Sequence, residues 1–170
     1  GAQAVETSGG KQPPPVKSHA FTSYCLSEKE IDPSKPDKNF GAKSSNLVAL
    51  RSLLPSFVQA PHSAVVPFGV FGKVMDAPEN ADAKARYHKL LAKMAGGDMY
   101  KSLREMRDVI CSLKAPAELQ SAMEKALGES GVVSGSGLEF GRAMEATRLV
   151  WASVFNERAV LSCSKQRLPP

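Results

Sequence analysis

The chain has 170 residues, 42% of them hydrophobic, enough for one ordinary domain with a real core. Its 22 lysines and arginines outnumber 17 acidic residues for a net charge of +5, but they are scattered, with no dense basic block and no nucleic-acid-binding motif. No apolar run approaches the roughly 20 residues needed to span a bilayer, so the charge reads plainly as a solvated surface and more sharply as a polyanion-binding face.

Residues 1 to about 18 are rich in Gly, Gln, Pro and Ser and include Pro13-Pro14-Pro15, a composition that cannot offset the entropy of ordering. They read as a flexible tail or linker, ahead of a folded region over 19–170. The chain opens on glycine, so its natural start is expected upstream, with room for a targeting segment there. Cys25, Cys111 and Cys163 are widely spaced, form no Cys-x-x-Cys, and share no metal-ligand spacing with His19, His62 or His88. Free thiols in a reducing compartment follow, and no metal site.

His19–Leu26 has the aromatic and β-branched character of a short strand, centred on Phe21–Tyr24. Ser27–Asn39 is charged, holds two prolines and reads as loop. A helix is predicted over Ala42–Leu54, with Leu47, Leu50 and Leu54 on one face and Pro55 as its stop. Ser63–Pro67 is a second short strand, and Phe68–Asp76 a helical turn. Asn80–Ala95 repeats apolar residues every three or four positions up to Gly96-Gly97, after which Asp98 is expected to cap a helix to Leu113. Ala115–Leu127 is a further helix, Gly128–Gly137 a glycine- and serine-rich loop, and Leu138–Ser162 is predicted as one long helix. Met144, Trp151 and Phe155 then share a buried stripe. The fold class is α+β, mostly helical.

The densest chemical signal begins at Phe40-Gly41-Ala42-Lys43-Ser44-Ser45-Asn46-Leu47. A glycine, a lysine and two hydroxyls open a helix, where backbone N–H groups favour anions and a lysine adds a point charge suited to phosphate. A glycine there also lets a phosphate approach the backbone. After the helix come Pro55-Ser56-Phe57-Val58 and Val66-Pro67-Phe68-Gly69-Val70-Phe71. A second cluster is Val150-Trp151-Ala152-Ser153-Val154-Phe155-Asn156-Glu157-Arg158-Ala159. Trp151 and Phe155, one turn apart, read as core. Arg158 follows Trp151 at a spacing that returns to the same helix face, where it closes over phosphates or pairs with an acid such as Glu157.

Together these clusters resemble the dikinases that work through ATP and a phosphohistidine, most nearly the alpha-glucan and phosphoglucan water dikinases. The resemblance covers about residues 40–165 and implies the N-terminal lobe of an ATP-grasp-type, pyruvate phosphate dikinase-like nucleotide-binding domain. It implies that Gly41, Lys43 and Arg158 contact nucleotide, and that Asn46 and Leu47 are structural. It also implies a parent that moves the β-phosphate of ATP through histidine to a starch-like glucan and releases the γ-phosphate to water. ATP and Mg2+ are the parent's cofactors, glucan is reached by its other domains, and a plastid or cytoplasm is its compartment.

The chain departs from the family in two respects. Gly128–Gly137 stands where many dikinases carry a Val-Arg-Ser-Ser nucleotide loop, and no paired carboxylates are placed to hold magnesium. Ser18-His19 lacks a swivelling domain around it and is not read as the phosphocarrier. No catalytic residue is assigned. The alternative to an enzyme lobe is an inactive dikinase-derived module serving as a structural or interaction subunit of a larger assembly.

Overall fold

A computed structural model describes residues 21–32, 34, 39–95, 99–131 and 139–166. The 1–18 tail, His19, the Gly96-Gly97 stop, the Asp98 cap and most of the glycine-rich loop lie outside the described residues. In chain order the elements are β1 (Leu26–Ser27), α1 (Ala42–Leu53), β2 (Ala64–Val65), α2 (Val70–Met75), α3 (Ala81–Ala95), α4 (Met99–Cys111), α5 (Ala117–Glu129), α6 (Glu139–Ser153) and α7 (Glu157–Gln166). Helix dominates, as the periodicity implies.

The core is organised around α4, which packs on α3 and α6. Its Leu103, Met106, Val109 and Ile110 are fully buried, at the i, i+3, i+6, i+7 spacing that lines one helix face. Val70 and Val74 of α2, Leu119 and Met123 of α5, and Met144 of α6 complete the same cluster. Asn80 is buried at the start of α3 and ties two elements together. Its amide donates to the Val74 and Lys114 carbonyls, and its carbonyl accepts the Lys114 N–H, each at 2.8 Å.

The sheet is minimal and antiparallel, pairing Leu26 with Val65 and Ser27 with Ala64. The predicted strand over Phe21–Tyr24 is thus displaced to Leu26–Ser27. Phe21 instead meets Tyr24 edge-to-face at 4.8 Å, with the Lys73 ammonium 5.6 Å from its ring. The ladder forms where Val65 joins Ile31 and Phe40 in a small second cluster, with Leu26 and Val48 packed against it. The expected loop after Ser27 carries a short 3-10 turn, Glu28–Glu30, closed by Glu30 accepting the Ser27 N–H at 2.8 Å. Gly69 sits at φ 89° ahead of α2, a left-handed conformation that favours glycine.

Two helical expectations are corrected. Leu138–Ser162 is not one helix, because the chain breaks between Ser153 and Glu157. Arg107 Nη1 donates to the Phe155 carbonyl at 2.8 Å, and Asn156 Oδ1 accepts the Ala159 N–H at 2.7 Å, capping a new helix. The geometry that placed Trp151 and Arg158 on one continuous face is lost with the break. The leucine stripe of α1 is only partly covered: Leu47 and Leu54 are half-buried, Leu50 is 48% exposed, and α1 has no fully buried residue.

Candidate functional site

The start of α1 is built from Gly41 outward. Gly41 is the N-cap, in extended conformation at φ −72° and ψ 147°, and no side chain caps the first turn. That leaves helix N–H groups without a side-chain acceptor. A Cβ on Gly41 would meet nothing within 4 Å, so neither backbone geometry nor packing accounts for the glycine there. Lys43 is exposed in the same turn, and the first turn holds no acidic residue.

Gly41 and Ser44 line a cleft of about 450 Å³. Val65 and Val66 line it from the strand side, and Ala146, Val150 and Trp151 line it from α6. Trp151, expected in the core, is half-buried. It meets the Phe71 ring edge-on at 5.4 Å and also borders the cleft. Thr147 lines the cleft too, its hydroxyl donating to the Ala143 carbonyl at 2.8 Å. Cys25 also lines it, its thiol pushed up to about 11, chiefly by burial. No charged side chain lines the cleft among the described residues.

Arg158 is exposed and does not line this cleft. It shares a separate open depression of about 640 Å³ with Arg107, Asn156 and Glu157. Gly41 and Trp151, from the two sequence clusters, therefore come together, whereas Arg158 stands apart from them.

A third feature holds the long connection between α1 and β2. The Glu28 carboxylate accepts Arg51 Nη2 at 3.0 Å and the Ser63 N–H at 3.2 Å, and lies 3.0 Å from His62 Nδ1. Arg51 also donates to the Ala60 and Pro61 carbonyls at 3.0 and 2.6 Å. Burial pushes the Glu28 carboxyl upward, but the His62 contact, the Arg51 charge and the Ser63 N–H together hold it below its ordinary value. Sequence reasoning missed this cluster, since residues 28, 51 and 62 share no motif. Among the described residues no group of three or more His, Cys, Asp or Glu is placed to hold a metal ion. No described helix is long and apolar enough to cross a membrane.

No family model matches the chain, and no solved structure does. Curated relatives do. Alpha-glucan water dikinase 2 of Arabidopsis thaliana is 34% identical over 146 residues, 85% of this chain and 11% of that protein. The chloroplastic alpha-glucan water dikinase of Solanum tuberosum is 35% identical over 156 residues, 90% of this chain and 10% of that protein. The chloroplastic alpha-glucan water dikinase 1 of Arabidopsis thaliana is 31% identical over 156 residues, 90% of this chain and 11% of that protein. The chain thus spans about a tenth of the length of the curated relatives it matches. Along most of its own length, it is related to the dikinase family through the alpha-glucan water dikinases.

Proposed function

We propose that the chain is the N-terminal lobe of an ATP-grasp-type nucleotide-binding domain of a glucan water dikinase, working in a plastid. The observation that carries this reading is the opening of α1: a helix start without a side-chain cap, open space beside Gly41, and an exposed lysine in the same turn. These features fit a nucleotide polyphosphate. The N–H groups of the first turn bind phosphate oxygens, and Lys43 contributes charge in the same direction as the helix dipole. Gly41 lets the phosphates approach the main chain. Arg158 is assigned as a second nucleotide contact, acting from across the α6–α7 break, where it joins Arg107.

The roles of these residues are binding and electrostatic positioning. ATP would supply the phosphoryl groups, which the parent passes through a phosphohistidine to a starch-like glucan. Magnesium and glucan are contacted by parts of the parent other than the residues described here. This chain alone is therefore expected to have no phosphotransfer activity.

A second reading, an inactive module acting by contact, is favoured by one observation. Leu53 and Phe57, four positions apart, are 78% and 84% exposed, on a helix and turn that bury little. A solvent-exposed apolar surface of this kind suits a protein interface. Thermal unfolding with increasing ATP separates the readings. Binding to the folded state alone raises stability by about 2.7 kcal/mol at a ligand concentration of 100 Kd. A melting temperature that climbs with ATP supports the nucleotide lobe, and one that stays constant up to saturating ATP supports the contact module.

A further inference from the structure

We infer that Arg107 is a positioning residue: from α4 it holds, together with the Asn156 cap, the corner between α6 and α7, and so sets where Arg158 meets phosphate. The inference rests on the nucleotide-lobe reading and adds to it a residue that acts through Arg158.

The corner is short and tied from two sides. α6 ends at Ser153 and α7 begins at Glu157, so Arg158 is the second residue of its helix and its direction follows from how residues 154–156 turn. Phe155 anchors that turn. Its ring is buried and meets Tyr87 edge-on at 6.0 Å, while its carbonyl accepts Arg107 Nη1 at 2.8 Å. Asn156 Oδ1 then accepts the Ala159 N–H at 2.7 Å and fixes the first turn of α7. Met106 and Ile110, on either side of Arg107 in α4, are fully buried, so the guanidinium is carried by the helix around which the core is built.

A cation on a carbonyl at a helix end is by itself an ordinary cap. Arg107 and Arg158, however, line one open depression of about 640 Å³ with Asn156 and Glu157. Neither arginine forms an ion pair among the described residues. Two guanidiniums without carboxylate partners over one depression suit a polyanion such as a nucleotide polyphosphate. An exposed arginine gains from such a ligand only what is left after its conformational freedom is lost. Arg107 reduces that loss by holding the start of α7 in place before the ligand arrives.

A double-mutant cycle tests this, with ATP affinity and melting temperature measured for the unmodified chain, Arg158→Gln, Arg107→Gln and the double variant. Arg158→Gln is expected to weaken ATP about tenfold or more, the loss of one charge-assisted hydrogen bond to phosphate. Arg107→Gln is expected to weaken it about five- to tenfold, as a coupled neighbour does. The double variant should bind ATP no more weakly than Arg158→Gln, because the corner then has no arginine to place. A role in folding alone would lower the melting temperature of Arg107→Gln and leave its ATP affinity unchanged. Direct contact between Arg107 and phosphate would add its full loss to that of Arg158→Gln. Either result overturns the positioning role. Should Arg107→Gln not fold, Asn156→Ala, an exposed position on the same corner, goes through the same cycle with the same expectations. ATP affinity unchanged in Arg158→Gln also overturns the inference, while sparing the phosphate site at Lys43. Absence of ATP binding to the unmodified chain overturns the nucleotide reading with it.

Discussion

Arg51 Nη2 donates to Glu28 Oε2 at 3.0 Å, joining α1 to the turn that follows β1. The same guanidinium holds the Ala60 and Pro61 carbonyls, so one side chain fastens both ends of the connection that leads into β2. Glu28→Gln keeps the shape and removes the charge. It is expected to lower stability by about 2 kcal/mol, because the Arg51 guanidinium loses its counter-charge. Thermal unfolding checks it, at about 2–4 °C per kcal/mol for a domain of this size.

The pH dependence of that fastening has a definite sign. The folded Glu28 carboxyl lies below its ordinary value, so its contribution is complete above the unfolded value of about 4.3. It is then lost as pH falls through the folded value. Stability of the unmodified chain should therefore drop more steeply than that of Glu28→Gln on acidification below about 4.3. Parallel pH profiles for the two proteins would contradict this.

Asn80→Ala is expected to cost about 3 kcal/mol. It removes three buried hydrogen bonds, one to the Val74 carbonyl, which keeps the Ala77 N–H at 3.2 Å, and two to the Lys114 main chain. Chemical denaturation measures this directly; a loss under about 0.5 kcal/mol, the level of an ordinary surface change, would contradict the bridge.

Phe155→Ala should destabilise more than Trp151→Ala. Phe155 is buried in the core and packs edge-on against Tyr87 at 6.0 Å, whereas Trp151 is half-buried at the cleft. Truncating a buried aromatic costs about 3–5 kcal/mol, and the tryptophan change should fall below that range. The reverse order in denaturant midpoints would place Trp151 in the core after all.

Cys25 and Cys111 should differ in reactivity. The Cys25 thiol is buried and pushed up to about 11, so almost none is thiolate at pH 8, while Cys111 is partly exposed. Site-resolved mass spectrometry after brief alkylation should find Cys111 modified first, with Cys25 protected until the chain unfolds.

The helices α3, α4 and α5 were legible because their apolar residues repeat without interruption and their burial follows that repeat. The break before α7 was not, since its cause lies in Arg107, far away in sequence, taking the Phe155 carbonyl. Leucine spacing in α1 correctly marks a helix but is silent about what covers it, and Leu50 and Leu53 are exposed. At the site, Gly41 and Lys43 carry a local signature of small residue, cation and hydroxyls at a helix start. Trp151 carries none. An aromatic one turn from another reads as core, and its place on the cleft depends on how α6 meets the strand side.

The most direct measurement is the ATP affinity of Lys43→Ala beside the unmodified chain, with both melting temperatures. Lys43 is exposed, so its truncation should leave the melting temperature within about 1–2 °C, the shift expected for about 0.5 kcal/mol. ATP affinity should fall about ten- to a hundredfold, the loss of one charge-assisted hydrogen bond to phosphate. ATP binding of equal strength in the two proteins would contradict the phosphate site at the start of α1.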